Sequence, residues 1–237
     1  NFDTGNLWTD SLVSGSSWQL GTPNFGSTSS AHSPPNAWDV DLNSGYLSNT
    51  QSYLISPIFD FSIAINTKIN MWINYNSEGF WDGARMDYTE DGGTTWQIVG
   101  SFGDPNATNW YNYSSINSSS QAAWADNSGG WINAIKKLVE PAFIYNPNPI
   151  QFRFVFTSDG IINYDGFSVD DFCITLPQPQ DVGVSKIVLP NALYPSGATA
   201  DVKLVIENYG LNTATNFDVY YIYNGSTSPA TNYPGSL

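Results

Sequence analysis

Residues 150–175 read IQFRFVFTSDGIINYDGFSVDDFCIT. In the first part Phe152, Phe154 and Phe156 share one face, and Gln151, Arg153, Val155 and Thr157 share the other. Period-two alternation with aromatic and β-branched side chains predicts a strand with one face in a core. A turn-rich segment, SDGIINYDG, leads into a second extended run, Phe167 to Thr175. There Val169, Asp171 and Cys173 fall on one face, and Asp170, Phe172 and Ile174 on the other. Whichever face is buried, a carboxylate lies beside apolar neighbours and needs a partner. Adjacent strand residues point to opposite faces, so Asp170 and Asp171 do not read as a catalytic pair acting on one bond. The run ends at Leu176, and the composition changes at Pro177-Gln178-Pro179-Gln180. It is therefore read as the last strand of a first domain, residues 1–176, followed by a Pro-rich linker, 177–180.

The 237 residues suit one large all-β domain, or a domain and part of another. Hydrophobic residues at 41% and aromatics at 15% supply a core and argue against disorder. The net charge of −14 excludes nucleic acid and anionic membranes as partners, because phosphate contacts need Lys and Arg. Such acidity points to cation binding or to a plain solvated acidic surface. The single Cys173 rules out an intramolecular disulfide and is expected to pack as a small apolar side chain. No stretch has the apolar length of a membrane span or the form of a signal peptide. Asn1 and Leu237 are read as the edges of a fragment, and the scarcity of Lys points to an exported protein.

Working outward, short strands are expected at Asn1–Gly5 with Trp8, at Ser17–Leu20, at Ala37–Val40 and at Ser52–Ile55. Gly21–Asn36, rich in Gly, Ser, Thr and Pro, reads as loop. Ser56-Pro57 punctuates the chain before Ile58–Phe61. Thr67–Tyr75 alternates strongly, as do Ala84, Met86 and Tyr88, and Thr95–Val99 pairs back after a tight turn. That turn, Thr89 to Trp96 (TEDGGTTW), fits the Asp-box hairpin signature. Asp91 is placed to accept from turn amides, Gly93 to take positive φ and Trp96 to pack under the hairpin, which is a structural role. Trp131–Val139 is open between helix and strand, since Trp131, Ile135 and Leu138 have helical spacing.

Ser101–Gly130 is mostly Asn, Ser, Gly and Ala, with Trp110, Tyr111, Tyr113 and Trp124 embedded. Long loops of this kind are uncommon in compact domains and are often functional. The four aromatics either form a platform for stacking on sugar rings or fold inward to anchor the loop. After the linker, Asp181–Leu189, Thr199–Glu207 and Asn216–Tyr223 alternate as strands, with turns at Pro190, Pro195-Ser196-Gly197 and Asn208-Tyr209-Gly210. This spacing fits an immunoglobulin-like sandwich, of which residues 181–237 hold only part.

Two families come into view on particular residues. Phe2-Asp3-Thr4-Gly5, Ala37-Trp38, Tyr53-Leu54-Ile55-Ser56-Pro57 with Phe59-Asp60-Phe61, and Trp72 carry the first. So do Trp81-Asp82-Gly83-Ala84, the DGGTTW hairpin, Phe152-Arg153-Phe154 with Ser158-Asp159, and Gly166-Phe167-Ser168-Val169-Asp170-Asp171. With these, residues 1–176 resemble the MAM-like jelly-roll module of secreted bacterial proteins, including the C-terminal regions of immune-inhibitor-A-type metallopeptidases. Through Asp181-Val182-Gly183-Val184, Pro190, Val202–Glu207 and Phe217–Tyr223, residues 181–237 resemble the start of the cell-adhesion-related (CARDB) Ig-like domain of bacteria. The resemblance implies an all-β chain: a jelly-roll β-sandwich followed by a partial Ig-like β-sandwich. The pairing resembles Bacteroidota surface proteins exported by the type IX system, whose sorting signal would lie beyond Leu237.

Catalytic groups are sparse. The one His, His32, sits in a Ser/Pro loop, where a solvated side chain is expected, and a Ser–His–Asp triad would have to use it. There is no HExxH zinc motif and no Gly-rich phosphate loop after a strand. The resemblance implies a calcium ion between the first and last strands, with Asp3 and Asp171 as ligands and Asp170 second. The rival is that the inward Asp pairs with the Arg153 fork. Asp10-Ser11-Leu12 resembles a Bacteroidota O-glycosylation sequon, with Ser11 as acceptor. The chain is thus expected to be a non-catalytic, extracellular or cell-surface module for adhesion or for binding a glycan or surface protein, beside neighbouring domains of a longer chain. Its alternatives are an accessory domain of a secreted peptidase and a structural unit of a surface filament.

Overall fold

The computed structural model describes residues 2–3, 7–176, 181–188, 203–223 and 225–237. It divides into two compact units, Asn1–Leu176 and Pro177–Leu237. Thr4-Gly5 of the opening motif, the PQPQ stretch, Val202 and the expected turns at Pro190 and at Pro195-Ser196-Gly197 lie outside the described residues. Among the described residues no helix is long and apolar enough to cross a membrane.

The first unit is built from β1 (Thr9–Ser14), β2 (Trp18–Gly21), β3 (Ala37–Val40), β4 (Gln51–Phe61), β5 (Lys68–Asn76), β6 (Gly83–Thr89), β7 (Gln97–Ile98), β8 (Ala107–Thr108), β9 (Ile132–Lys137), β10 (Asn146–Thr157) and β11 (Gly166–Thr175). A five-stranded sheet has the order β1-β4-β10-β6-β7, and a six-stranded sheet the order β2-β3-β11-β5-β9-β8. From β3 onward most connections cross between the sheets, so strands from opposite ends of the unit become neighbours: β4 beside β10, and β3 beside β11. This is the wrapping of a jelly-roll sandwich.

The core lies where the alternation of β10 places it. Phe152, Phe154 and Phe156 are fully buried, and burial of each such side chain stabilises the fold by about 1.5–3 kcal/mol. Phe154 meets Trp8, Trp18, Phe167 and Phe172 in one aromatic cluster that spans both sheets. The alternation of β11 does not run through. Its register with β5 slips between Asp170 and Cys173, and Asp171 takes a left-handed φ of 50°. One extra residue turns the strand over. Phe167 and Val169 face the core before this bulge, and Phe172 and Ile174 pack on the core after it. Cys173 is therefore exposed rather than packed as an apolar residue.

Pro57 does not break β4. A second register shift, between Gln151 and Arg153 of β10, falls opposite it. There Ser56 Oγ accepts the Phe152 amide at 2.9 Å, and Ser56 O accepts from Gln151 Nε2 at 2.8 Å. Proline is tolerated within sheets at such bulges. Among the described residues the first strand is Thr9–Ser14, all of it exposed, and Trp8 precedes it; Asn1, Thr4 and Gly5 of the expected strand lie outside the described residues. β1 pairs with β4 along the sheet edge, so backbone bonding makes it a strand without an apolar pattern. Residues 132–137, open between helix and strand in sequence, form β9.

In the second unit the described strands are β12 (Val182–Val188), β13 (Lys203–Asn208), β14 (Thr215–Val219), β15 (Ile222–Tyr223), β16 (Ser226–Thr227) and β17 (Thr231–Ser236). They pair antiparallel as β12-β13, β14-β17 and β15-β16. Among its described residues only Ala214 is buried.

Candidate functional site

Four loops meet at one end of the sandwich: β3–β4, β5–β6, β10–β11, and the 113–123 part of the long β8–β9 connection. Tyr46 N donates to Tyr164 O (3.1 Å), Asn49 N to Asp159 O (2.6 Å), Asn117 N to Phe80 O (2.7 Å) and Ser118 N to Trp81 O (3.0 Å). Asp82 is the hub. Its turn is closed by the Trp81 and Asp82 amides donating to Glu78 O. Tyr46 Oη donates to Asp82 Oδ2 (2.8 Å), and the Asp159 amide donates to Asp82 Oδ1 (2.7 Å). Burial pushes the Asp82 carboxyl up to about 6, and the charges of Asp159 and Glu78 add to the shift; the bonds from Asp159 and Tyr46 oppose it.

Glu78, Asp82 and Asp159 bring carboxylate oxygens within 4.8 Å of one another. Glu78 Oε2 is buried without a hydrogen-bond partner among the described residues. An oxygen-only donor set suits a hard cation such as calcium. Sequence reading missed this grouping, because Asp82 and Asp159 belong to two motifs, Trp81–Ala84 and Ser158-Asp159, joined only through the fold, and Glu78 lies outside both.

Above Asp82 the loops expose apolar side chains. Phe80 is 67% exposed and Trp81 43%. Phe80 adopts a left-handed φ of 66°, a conformation that bulky side chains seldom take. Its carbonyl is held by the Asn117 amide, and its ring meets Tyr113 edge-to-face at 4.6 Å. Strain of this sort amounts to about 1–3 kcal/mol and tends to gather at binding sites. Phe80 and Trp81 line a hollow of about 530 Å³ together with Ser115, Ile116, Asn117 and Ser120.

The aromatics singled out in the sequence divide. Trp110, Tyr111 and Trp124 are buried, which corrects the sugar-platform reading for these three. Their polar tips are spent inside: Trp110 Nε1 on Val99 O (3.0 Å), Tyr111 Oη on Met86 O (3.1 Å) and Trp124 Nε1 on Asn109 O (3.0 Å). Trp124 also pairs its backbone with Ala84. There Gly83 approaches so closely that a Cβ would stand 2.3 Å from Trp124 O. These rings anchor the long loop, and Tyr113 alone reaches the exposed rim.

The expected calcium ligands are engaged elsewhere. Asp3 Oδ1 accepts the Asn36 amide (3.1 Å). Asp170 Oδ2 accepts the Ser33 amide (2.8 Å), and its Oδ1 the Asp171 amide (2.7 Å). Asp171 holds Ser33 Oγ (2.7 Å) and His32 Nδ1 (2.8 Å). The bulge thus aims both carboxylates at one loop, against the expectation that they point apart, and protein donors already serve their oxygens. Burial holds Asp170 above the usual carboxylate range. Asp171 lies below it, since the bonds from His32 and Ser33 outweigh its burial. Arg153 pairs with neither. It points outward from the other sheet, reaches Asp87 Oδ2 at 2.9 Å and stacks over Trp96 and Tyr53.

His32, far from free in solvent, stacks on Trp72 with ring centroids 3.8 Å apart. The Ser33 hydroxyl bonds to Asp170 and Asp171 rather than to the imidazole, so the group does not have the order of a catalytic triad. Ser11 is exposed on edge strand β1, and Asp10 beside it accepts the Trp18 amide at 2.9 Å.

The chain matches no protein-family model and no curated protein. Among solved structures it is similar to the K2 cleaved adhesin domain of Lys-gingipain, at 19% identity and a TM-score of 0.44 over 74% of this chain and 95% of that one. The K1 adhesin domain of the same protein from Porphyromonas gingivalis W83 is similar at 12% identity, with a TM-score of 0.43 over the same shares. The glycoside hydrolase domain of Endo-D from Streptococcus pneumoniae R6 is similar at 14% identity and a TM-score of 0.41, over 95% of this chain and 31% of that one.

Proposed function

We propose that this chain is a non-catalytic adhesion module of a secreted or cell-surface bacterial protein, and that it holds a glycan at the loop end of its first unit. Residues 1–176 act as a MAM-like binding unit, and residues 181–237 belong to an Ig-like, CARDB-type neighbour within a longer Bacteroidota-type chain. The observation that carries the reading is the exposed Phe80–Trp81 pair beside Tyr113, in a hollow whose other walls include Ser115, Asn117 and Ser120. Aromatic faces pack on the C–H faces of sugar rings, while hydroxyl and amide groups serve the sugar hydroxyls. The loops beneath are tied by backbone bonds, so little ordering is left to be done on binding. Glycan-array screening of the full chain and of a Phe80→Ala, Trp81→Ala double variant tests this. We expect binding by the native chain and loss of at least tenfold in the variant; binding that the variant retains would remove the proposed site.

A further inference from the structure

The outward face of the six-stranded sheet is covered by the 22–36 loop, which is fastened to it by polar bonds. Ser27 Oγ and the Thr28 amide donate to Asp165 Oδ2 (2.6 and 2.9 Å), Ser168 Oγ to Thr28 Oγ1 (2.9 Å), and Asn74 Nδ2 to Ser27 O (3.0 Å). Asp39 on β3 stands in register with Ser168 on β11. Two carboxylates therefore flank the Ser168–Thr28 contact beneath the loop. Asp39 is 1% exposed and Asp165 4%.

Each of these carboxylates keeps one oxygen unserved. Asp39 Oδ1 and Asp165 Oδ1 are buried with no hydrogen-bond partner among the described residues. Two buried acids in each other's field, with Asp41 adding a third like charge, hold Asp39 well above the usual carboxylate range, burial being the larger cause. Buried carboxylates without a counter-charge are strongly unfavourable. The loop closes directly over the unserved oxygen at Gly26, whose φ of 61° is left-handed and where a Cβ would stand 2.7 Å from Asp165 Oδ1. The side chains in this network, Ser27, Thr28 and Ser168, carry hydroxyl oxygens, and with the two carboxylates they offer the donor chemistry of a hard divalent ion.

We propose that Asp39 and Asp165 bind a calcium-class divalent cation through these two oxygens, and that the ion pins the 22–36 loop to the sheet. This site is separate from the Glu78–Asp82–Asp159 group at the loop end. Two negative ligands balance the two charges of the ion, and the Asx and hydroxyl bonds of Ser27, Thr28 and Ser168 fix the ligands around it.

The test takes the full chain, stripped with chelator and dialysed against calcium chloride, with bound calcium counted per chain by mass spectrometry. Asp39→Asn and Asp165→Asn are each expected to carry one calcium fewer than the native chain and to lose part of the rise in Tm that calcium gives. A Glu78→Gln, Asp82→Asn variant should keep that ion. Native chain alone supplies a second reading: hydrogen exchange across residues 22–36 should slow on adding calcium. Unchanged calcium counts in both Asp variants, or unchanged exchange in the loop, would overturn the site. A native chain that binds no calcium, with Asp39→Asn melting at or above it in chelator, would instead assign the pair to a shared proton.

Discussion

On the outer face of the five-stranded sheet, Asp87 sits between two guanidinium groups, with Arg85 Nε and Arg153 Nη2 each 2.9 Å from its oxygens. On the outer face of the six-stranded sheet, Asp39, Asp165 and Asp170 are just as deeply buried, and Asp165 and Asp170 meet hydroxyls and amides instead. Among the described residues none of these three forms an ion pair with Lys or Arg. The first arrangement neutralises charge with a fork whose donors match a carboxylate. The second leaves buried carboxylates without a Lys or Arg partner among the described residues. The difference teaches how one fold handles buried acids in two ways: one face carries its own counter-charges, and the other relies on neutral donors.

Breaking the paired face should have the largest effect. Asp87→Ala strands two guanidinium groups, and removing one partner of a buried pair destabilises by about 3–5 kcal/mol. Urea unfolding measures it, and a loss under about 1 kcal/mol would show the pair to be no better than a solvated one. On the other face, Ser33→Ala removes a hydroxyl that serves both Asp170 and Asp171. Hydrogen bonds to charged groups are worth about 1.5–3 kcal/mol, so a loss of about 2 kcal/mol is expected by the same measurement.

The smallest effects concern pH and two single carboxylates. Asp91 is held down at about 2 by the Thr95 amide and hydroxyl and by Thr89. Its folded value is below the unfolded one, so its contribution is present above about pH 4 and is lost as pH falls towards 2. Asp82 is raised to about 6, so the folded state binds more protons than the unfolded chain, and stability declines as pH rises from about 4 to 6. Asp91→Asn should flatten the acid limb of a urea-midpoint profile and Asp82→Asn the limb above it. Curves that keep both slopes would contradict these assignments.

What the sequence revealed follows the range of the interactions. The Asp-box turn was legible because its bonds stay within Thr89–Trp96: Thr95 N to Asp91 Oδ1 at 2.9 Å, Gly93 N to Thr89 Oγ1 at 3.0 Å and Trp96 Nε1 to Gly93 O at 3.0 Å. The alternation of β5 and β10 was legible because one face of each meets the core. β1 was not, since its pairing with β4 is a backbone matter and its side chains stay in water. The bulge at Asp171 hid the true faces of β11, because a left-handed Asp leaves no mark on a two-residue pattern. The loop-end group and the Asp39–Asp165 pair were out of reach for another reason. Their members come together only when strands far apart in the chain become neighbours.

That same adjacency has a kinetic side. In the five-stranded sheet Leu54 lies opposite Phe154, so β4 waits for a partner a hundred residues along the chain. Closing such a loop takes entropy before any contact repays it, and folds dominated by distant pairings form over about milliseconds to seconds. Until β10 arrives, β4 presents an eleven-residue strand with an apolar face and an unpaired edge. The period of greatest exposure to aggregation therefore falls before β10 is in place, and whatever shields β4 during that interval governs the yield of folded protein.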